Sequence, residues 1–198
     1  MHSSLELPEG AEFGVVLDAT EFYAESGGQI FGTNCLIFKD PAEMEVANVQ
    51  SYGGYVLHTG SLTYGSLLVN DKVLAQIDEI RRISVHLTHT RTHIPNFALR
   101  EVLGGGIEQK GSFVVPEKLR FDFSHQVSIE DQEIQQIENI VNTYITKGLT
   151  VFTAGVPLAI ARQIIGVRAL FGETYPDPVR IVSIGIHNAQ FLADDAAL

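Results

Sequence analysis

The hydrophobic period changes once along the chain, near residue 80, and that change limits the folds open to it. Across residues 12–81, short apolar runs are separated by turn glycines. Val15-Val16-Leu17, Cys35-Leu36-Ile37-Phe38 and Tyr55-Val56-Leu57 are such runs, with Gly27-Gly28, Gly32, Gly53-Gly54, Gly60 and Gly65 between or beside them. Met44 and Val46 alternate, and after a slip of one residue Val49 continues the face. Val73, Ala75 and Ile77 form another alternating set. Many short strands with glycine turns predict a small barrel or sandwich.

Beyond residue 80 the spacing becomes helical. Ile94, Phe97, Ala98 and Val102 make one stripe over residues 91–103, and Gly104-Gly105-Gly106 ends it. Residues 112–115 and 119–123 read as a hairpin joined by Pro116-Glu117-Lys118. Ser128, with Asp131 three residues on, reads as the start of a long helix. Its apolar face is Ile134, Ile137, Val141, Tyr144 and Ile145, and Lys147-Gly148 close it. A shorter helix is expected over residues 157–165 and a buried strand over 179–184. The class is therefore α+β: a β-barrel-like domain over residues 1–80, then an α+β domain over 81–198, with the boundary at residues 80–84.

Composition closes off several functions. The 198 residues are 45% hydrophobic and 19% charged, enough to bury a core. A formal charge of −11 argues against broad contact with a phosphate backbone, though not against a narrow one. No apolar run approaches a membrane span, and the first residues show no secretory signal. Cys35 is the only cysteine, so no internal disulfide forms, in keeping with a reducing compartment.

Chemistry concentrates in a few places. His89 and His93 are four residues apart. On a helix that spacing puts their Cβ atoms roughly 5–6 Å apart on one face, within reach of one metal ion. A bare pair at this spacing is more often chance than a site. His86 offers a third imidazole but reads more readily as a surface residue. Pro95 complicates the helix: one beginning at His89 is kinked by it, and one beginning near Thr92 leaves His89 outside. The segment from Asp18 to Gln29 reads, on spacing alone, as a glycine turn solvated by Glu21 and Glu25. The alternative is a loop that brings the Gln29 amide to a ligand. His58 and His125 read as structural or solvent-facing, and Asp122 as a hairpin charge or a partner for a histidine. Ser112 and Thr92 either bind a substrate hydroxyl or cap their own backbone.

Taken in order, these blocks resemble a known family. Asp18-Ala19-Thr20-Glu21-Phe22-Tyr23-Ala24-Glu25-Ser26-Gly27-Gly28-Gln29 is similar to the start of the editing region of alanyl-tRNA synthetases and their free-standing relatives. The resemblance continues through Gly53-Gly54-Tyr55-Val56-Leu57-His58, His89-x3-His93 with Asn96-Phe97-Ala98-Leu99-Arg100, and Gln109-Lys110-Gly111-Ser112. It runs on through Leu119-Arg120-Phe121-Asp122-Phe123, Arg168-Ala169-Leu170-Phe171-Gly172-Glu173-Thr174-Tyr175-Pro176 and Val179-Arg180-Ile181-Val182-Ser183-Ile184-Gly185. The eukaryotic type is the most similar. The fold it implies for residues 81–198 is shared with the editing region of threonyl-tRNA synthetase.

That resemblance implies hydrolysis of tRNA(Ala) mischarged with serine or glycine. An alanine pocket cannot exclude glycine by size and rejects an added hydroxyl poorly, so a second, hydrolytic site supplies the discrimination. The family's site holds zinc on two histidines, matched here by His89 and His93, and on a later Cys-x3-His. Gln29 matches the glutamine that lines the pocket, and Thr92 is a further candidate. Lys110 and Arg120 are candidate contacts to the acceptor end. No Cys-x3-His follows Gly185, and Arg91 stands where a small residue is usual. The zinc set is therefore expected to be incomplete. The chain is expected to be part of a longer cytoplasmic or mitochondrial synthetase, whose ATP-dependent aminoacylation module it lacks. The alternative is an editing-inactive domain that packs against its neighbours or binds tRNA.

Overall fold

The computed structural model describes residues 4–5, 10–39, 42–164, 166–168 and 174–187. Its first elements are strands: β1 (Ser4–Leu5), β2 (Glu12–Val16), β3 (Asn34–Phe38), β4 (Ala42–Tyr52), β5 (Tyr55–Tyr64), β6 (Leu67–Leu68) and β7 (Val73–Ile77). Helix α1 (Glu79–Leu103) and the strands β8 (Gln109–Val114) and β9 (Leu119–Phe123) follow. The chain continues through α2 (Asp131–Lys147), β10 (Val151–Val156), α3 (Leu158–Ala161) and β11 (Val179–Ile184). These elements divide into two compact units. One comprises Met1–Phe97 with Gly106–Gln126, the other Ala98–Gly105 with Val127–Leu198. The class is α+β, as expected.

In the first unit, five strands form an antiparallel sheet in the order β2-β5-β4-β3-β7. The sheet is open, with β2 and β7 as its edges, so the expected barrel does not close. Its centre is the β4–β5 hairpin. Gly53 and Gly54 turn it with φ of 55° and 88°, the left-handed pair that a two-residue hairpin turn needs. Met44, Val46 and Val49 are buried, and the register shifts between Val46 and Asn48. The slip read in the sequence is thus a β-bulge: the extra residue returns Val49 to the core face. Leu36, Phe38, Ala42 and Phe22 complete this core.

Helix α1 begins twelve residues before the expected stripe. Asp78 starts it by accepting the Arg81 N–H at 2.9 Å, as an N-cap aspartate does. Its first turns do place Ile80, Ile83 and Leu87 at helical spacing, but these side chains are exposed. The helix runs through Pro95, which therefore neither begins nor ends it. Val85, Thr88, Thr92 and Ile94 are buried along it, and Phe97 is exposed where the stripe placed it inside.

The second unit pairs β10 with β11 antiparallel. Its core is Val156, Ala161, Ile164 and Ile181. Helix α2 is capped by Glu130 rather than Ser128, and the Glu133 carboxylate accepts the Glu130 N–H at 2.8 Å. Gly148 ends the helix at φ 56°. None of its residues is fully buried: of the expected apolar face, Ile137, Val141 and Tyr144 are half-buried and Ile134 and Ile145 exposed. Residues 169–173 and 188–198, with the centre of the Arg168 block and the chain after His187, lie outside the described residues, as does Ile165. No helix among the described residues is long and apolar enough to cross a membrane.

Candidate active site

The glycine segment folds into a tight turn. Ser26 and Gln29 exchange backbone hydrogen bonds at 3.2 and 2.9 Å, with Gly27 and Gly28 between them at φ 58° and 79°. Both signs are those of a two-residue hairpin turn that only glycine adopts without cost. The turn is clamped onto β8. Val114 N–H donates to the Gly28 carbonyl at 2.7 Å, Ile30 N–H donates to the Val114 carbonyl at 3.1 Å, and the Ser112 hydroxyl donates to the Gly27 carbonyl at 3.2 Å. A Cβ on Gly28 would overlap the Ser112 hydroxyl and carbonyl. The glycine is therefore demanded by close approach as well as by φ.

The clamp sets the Gln29 side chain, which is only 5% exposed. Its amide oxygen lies 2.6 Å from Nδ1 of His89. A carbonyl oxygen only accepts, so Nδ1 carries the proton and Nε2 keeps its lone pair. One turn along α1, the His93 ring lies 5.9 Å from His89, tilted by 20°. The two imidazoles are stacked side by side, as the four-residue spacing predicts. His89 is held below its ordinary pKa by burial first, and then by His93 and His86. His93 is exposed overall, and partial burial of its ring depresses its pKa too. Both rings therefore present unprotonated nitrogens near neutral pH, the form that accepts a proton or a metal.

The remaining candidates fall elsewhere. Thr92 is buried, and its hydroxyl donates to the His89 carbonyl at 2.8 Å within the helix. Lys110 is paired with Glu108 at 2.8 Å, and Arg120 with Asp122 at 3.0 Å; all four side chains are exposed. Arg91 is exposed and His86 likewise. Cys35 sits on β3, its thiol 3.9 Å from the Gln76 side chain. Among the described residues, no three His, Cys, Asp or Glu side chains converge to hold a metal. His89 and His93 are two donors where tetrahedral zinc takes four. The described residues do not complete a zinc site.

Two residues for which the sequence left two readings open have definite places in the structure. Ser112 was a candidate for substrate or for its own backbone, and it holds the glycine turn instead. His58 is fully buried. The signal for it was the alternation of His58, Gly60 and Leu62 along one strand, since Leu62 marks the inner face.

Comparison with known proteins agrees with the motif series. Residues 2–81 match the family of class II (A) tRNA synthetases. Over 187 residues, 94% of the chain, it is 52% identical to the mitochondrial alanine–tRNA ligase of Saccharomyces cerevisiae. It is 53% identical over 96% of its length to the alanine–tRNA ligase of Candida albicans, and 46% identical over 93% to the cytoplasmic one of Dictyostelium discoideum. The chain corresponds to one region of the alanyl-tRNA synthetases. It spans about a fifth of these relatives, 19% of the Saccharomyces enzyme and 20% of the other two. The alanyl-tRNA synthetases it matches are named for both mitochondria and cytoplasm.

Proposed function

We propose that this chain carries the editing site of an alanyl-tRNA synthetase and hydrolyses the ester of tRNA(Ala) mischarged with serine or glycine. The observation that carries the reading is the contact between Gln29 and His89 beside a stacked His93. A glutamine on a glycine turn fixes one imidazole by Nδ1 and leaves its Nε2 free to work on a bound group. In the reaction, Nε2 of His89 takes a proton from a water as that water attacks the ester carbonyl. The ribose oxygen leaves with a proton, and the free amino acid and intact tRNA are released. Gln29 holds the ring in the required tautomer and offsets the charge that appears on it. Lys110 and Arg120 exchange their neighbouring carboxylates for phosphates of the acceptor end. Thr92 stabilises the helix that presents both histidines.

The proposal extends to zinc. His93 and the same Nε2 of His89 would supply two nitrogen ligands, the latter in place of its role as base, with the others coming from outside the described residues. Bound there, the ion would polarise the ester and its attacking water. Aminoacylation with ATP and alanine is proposed for the longer enzyme of which the chain resembles one fifth.

The test is release of amino acid from tRNA(Ala) charged separately with serine, glycine and alanine. The expected result is serine and glycine release well above the rate in buffer, with alanine spared. Equal release of all three, or none above buffer, overturns the proposal. The second outcome favours a scaffold that only binds tRNA, a reading supported by the absence of a third metal ligand among the described residues.

A further inference from the structure

The loop that delivers Gln29 begins against a buried histidine that the proposed chemistry does not use. His58 lies on the interior strand β5 and is 0% exposed. Its Nδ1 is 3.1 Å from the Val15 carbonyl on β2. A carbonyl only accepts, so Nδ1 bears the proton and Nε2 is an acceptor. Nε2 lies 2.8 Å from the Thr20 hydroxyl, which therefore donates to it. The same hydroxyl accepts the Phe22 N–H at 3.1 Å. Phe22, itself buried, meets the imidazole edge-on at 5.4 Å between ring centres. Three donations thus run head to tail, from Phe22 to Thr20, from Thr20 to His58 and from His58 to Val15. Reversing the Thr20 hydroxyl would break two of them.

From this point the loop has little freedom. Gly32 N–H donates to the Tyr23 carbonyl at 2.9 Å, and Glu25 N–H donates to the Val49 carbonyl at 3.0 Å. The Gln50 amide donates to the Glu25 carboxylate at 2.6 Å. We infer that His58 is a positioning residue, which acts through Thr20 to hold the loop that sets Gln29 on His89. For its effect on turnover this rests on the proposed hydrolysis. For its effect on the His89 ring it does not.

Two substitutions separate this role from plain core stability. His58→Asn keeps a donor at the Nδ1 position and loses the acceptor for Thr20. His58→Gln places an amide oxygen near the Nε2 position and loses the donor to Val15. Each deletes one buried hydrogen bond, so both should lower the melting temperature. If His58 positions the loop, only His58→Asn should lower kcat for Ser-tRNA(Ala) deacylation, about tenfold with little change in KM, and His58→Gln should rescue it. A second readout needs no activity: the ring nitrogens of His89 followed by NMR, with a chelator present so that no metal fixes the tautomer. The parent chain and His58→Gln should show His89 protonated at Nδ1, and His58→Asn a mixture of tautomers. An unchanged His89 ring in both variants overturns the inference. So does a kcat loss that follows melting temperature equally in the two. A His89 response in a chain with no deacylation supports the positioning role while defeating the editing proposal.

Discussion

The Gln29 amide oxygen and Nδ1 of His89 meet at 2.6 Å although 60 residues separate them in sequence. The contact decides which nitrogen of His89 faces a ligand. Replacing Gln29 with Ala should slow Ser-tRNA(Ala) deacylation by about 10–100-fold, the usual cost of losing a partner that orients a working histidine. Gln29→Glu should act differently. A carboxylate beside the ring favours the imidazolium and raises its pKa by about one unit or more, so the acid limb of the rate profile should move to higher pH. Single-turnover rates measured against pH check both, and a Gln29→Glu profile that overlays the parent refutes the contact.

Gly27 and Gly28 share a turn but face different surroundings. A Cβ at Gly27 meets nothing within 4 Å, whereas one at Gly28 runs into Ser112. Both have positive φ, so Gly27→Ala should cost about 1–2 kcal/mol. Gly28→Ala should cost more and abolish deacylation, because relieving the overlap moves Gln29. Urea unfolding of the two variants gives the comparison, and equal costs would show that the clamp onto β8 is unimportant.

Buried His58 makes stability depend on pH. Burial holds its pKa below the ordinary 6.5. The unfolded ring binds a proton below about pH 6.5 that the folded ring refuses, so stability is full above that pH and falls as pH drops through it. The slope from one such group reaches at most about 1.4 kcal/mol per pH unit. Urea midpoints from pH 7.5 to 5 should show this slope in the parent and a shallower one in His58→Gln. Parallel curves would contradict it.

Zinc added to chelator-treated protein should bind through the histidine pair. His93→Ala should weaken it at least about tenfold, since one of two nitrogen donors is gone. Competition against a chromophoric chelator measures both affinities. Undiminished binding by His93→Ala would place the metal elsewhere.

What the sequence revealed was local. The strand runs, the hairpin over residues 112–123, the helix-spaced histidines and even the slip between Val46 and Val49 all leave a pattern within a few residues. The α+β class and the family resemblance followed from these. Sheet closure left no such trace, because whether β2 meets β7 depends on pairing between distant edges. The start of α1 was missed because residues up to 81 read as β-rich and because Pro95 was taken to kink or bound a helix that in fact runs through it; the apolar residues of its first turns, Ile80, Ile83 and Leu87, face solvent rather than a core. Strand β10 was overlooked because Ala154 and Gly155 dilute its β-branched character. Gln29 was legible as a residue type through the family's motif. Its contact was not, since the Ser112 and Val114 bonds that place it come from a strand far along the chain.

The clamp between the glycine turn and β8 also sets an order of events. Gly27 and Ser112, bonded in the finished molecule, are 85 residues apart. On a ribosome adding about 5–20 residues per second, the turn waits several seconds for its counterpart to be made. The β4–β5 hairpin and its neighbours can pair during that wait, since they are complete by Ile77. Gln29 can take its place only after the chain has passed Val114. A nascent chain halted before that residue would have the strands of its sheet but not the bonds that place Gln29, so the proposed hydrolysis has to wait for β8.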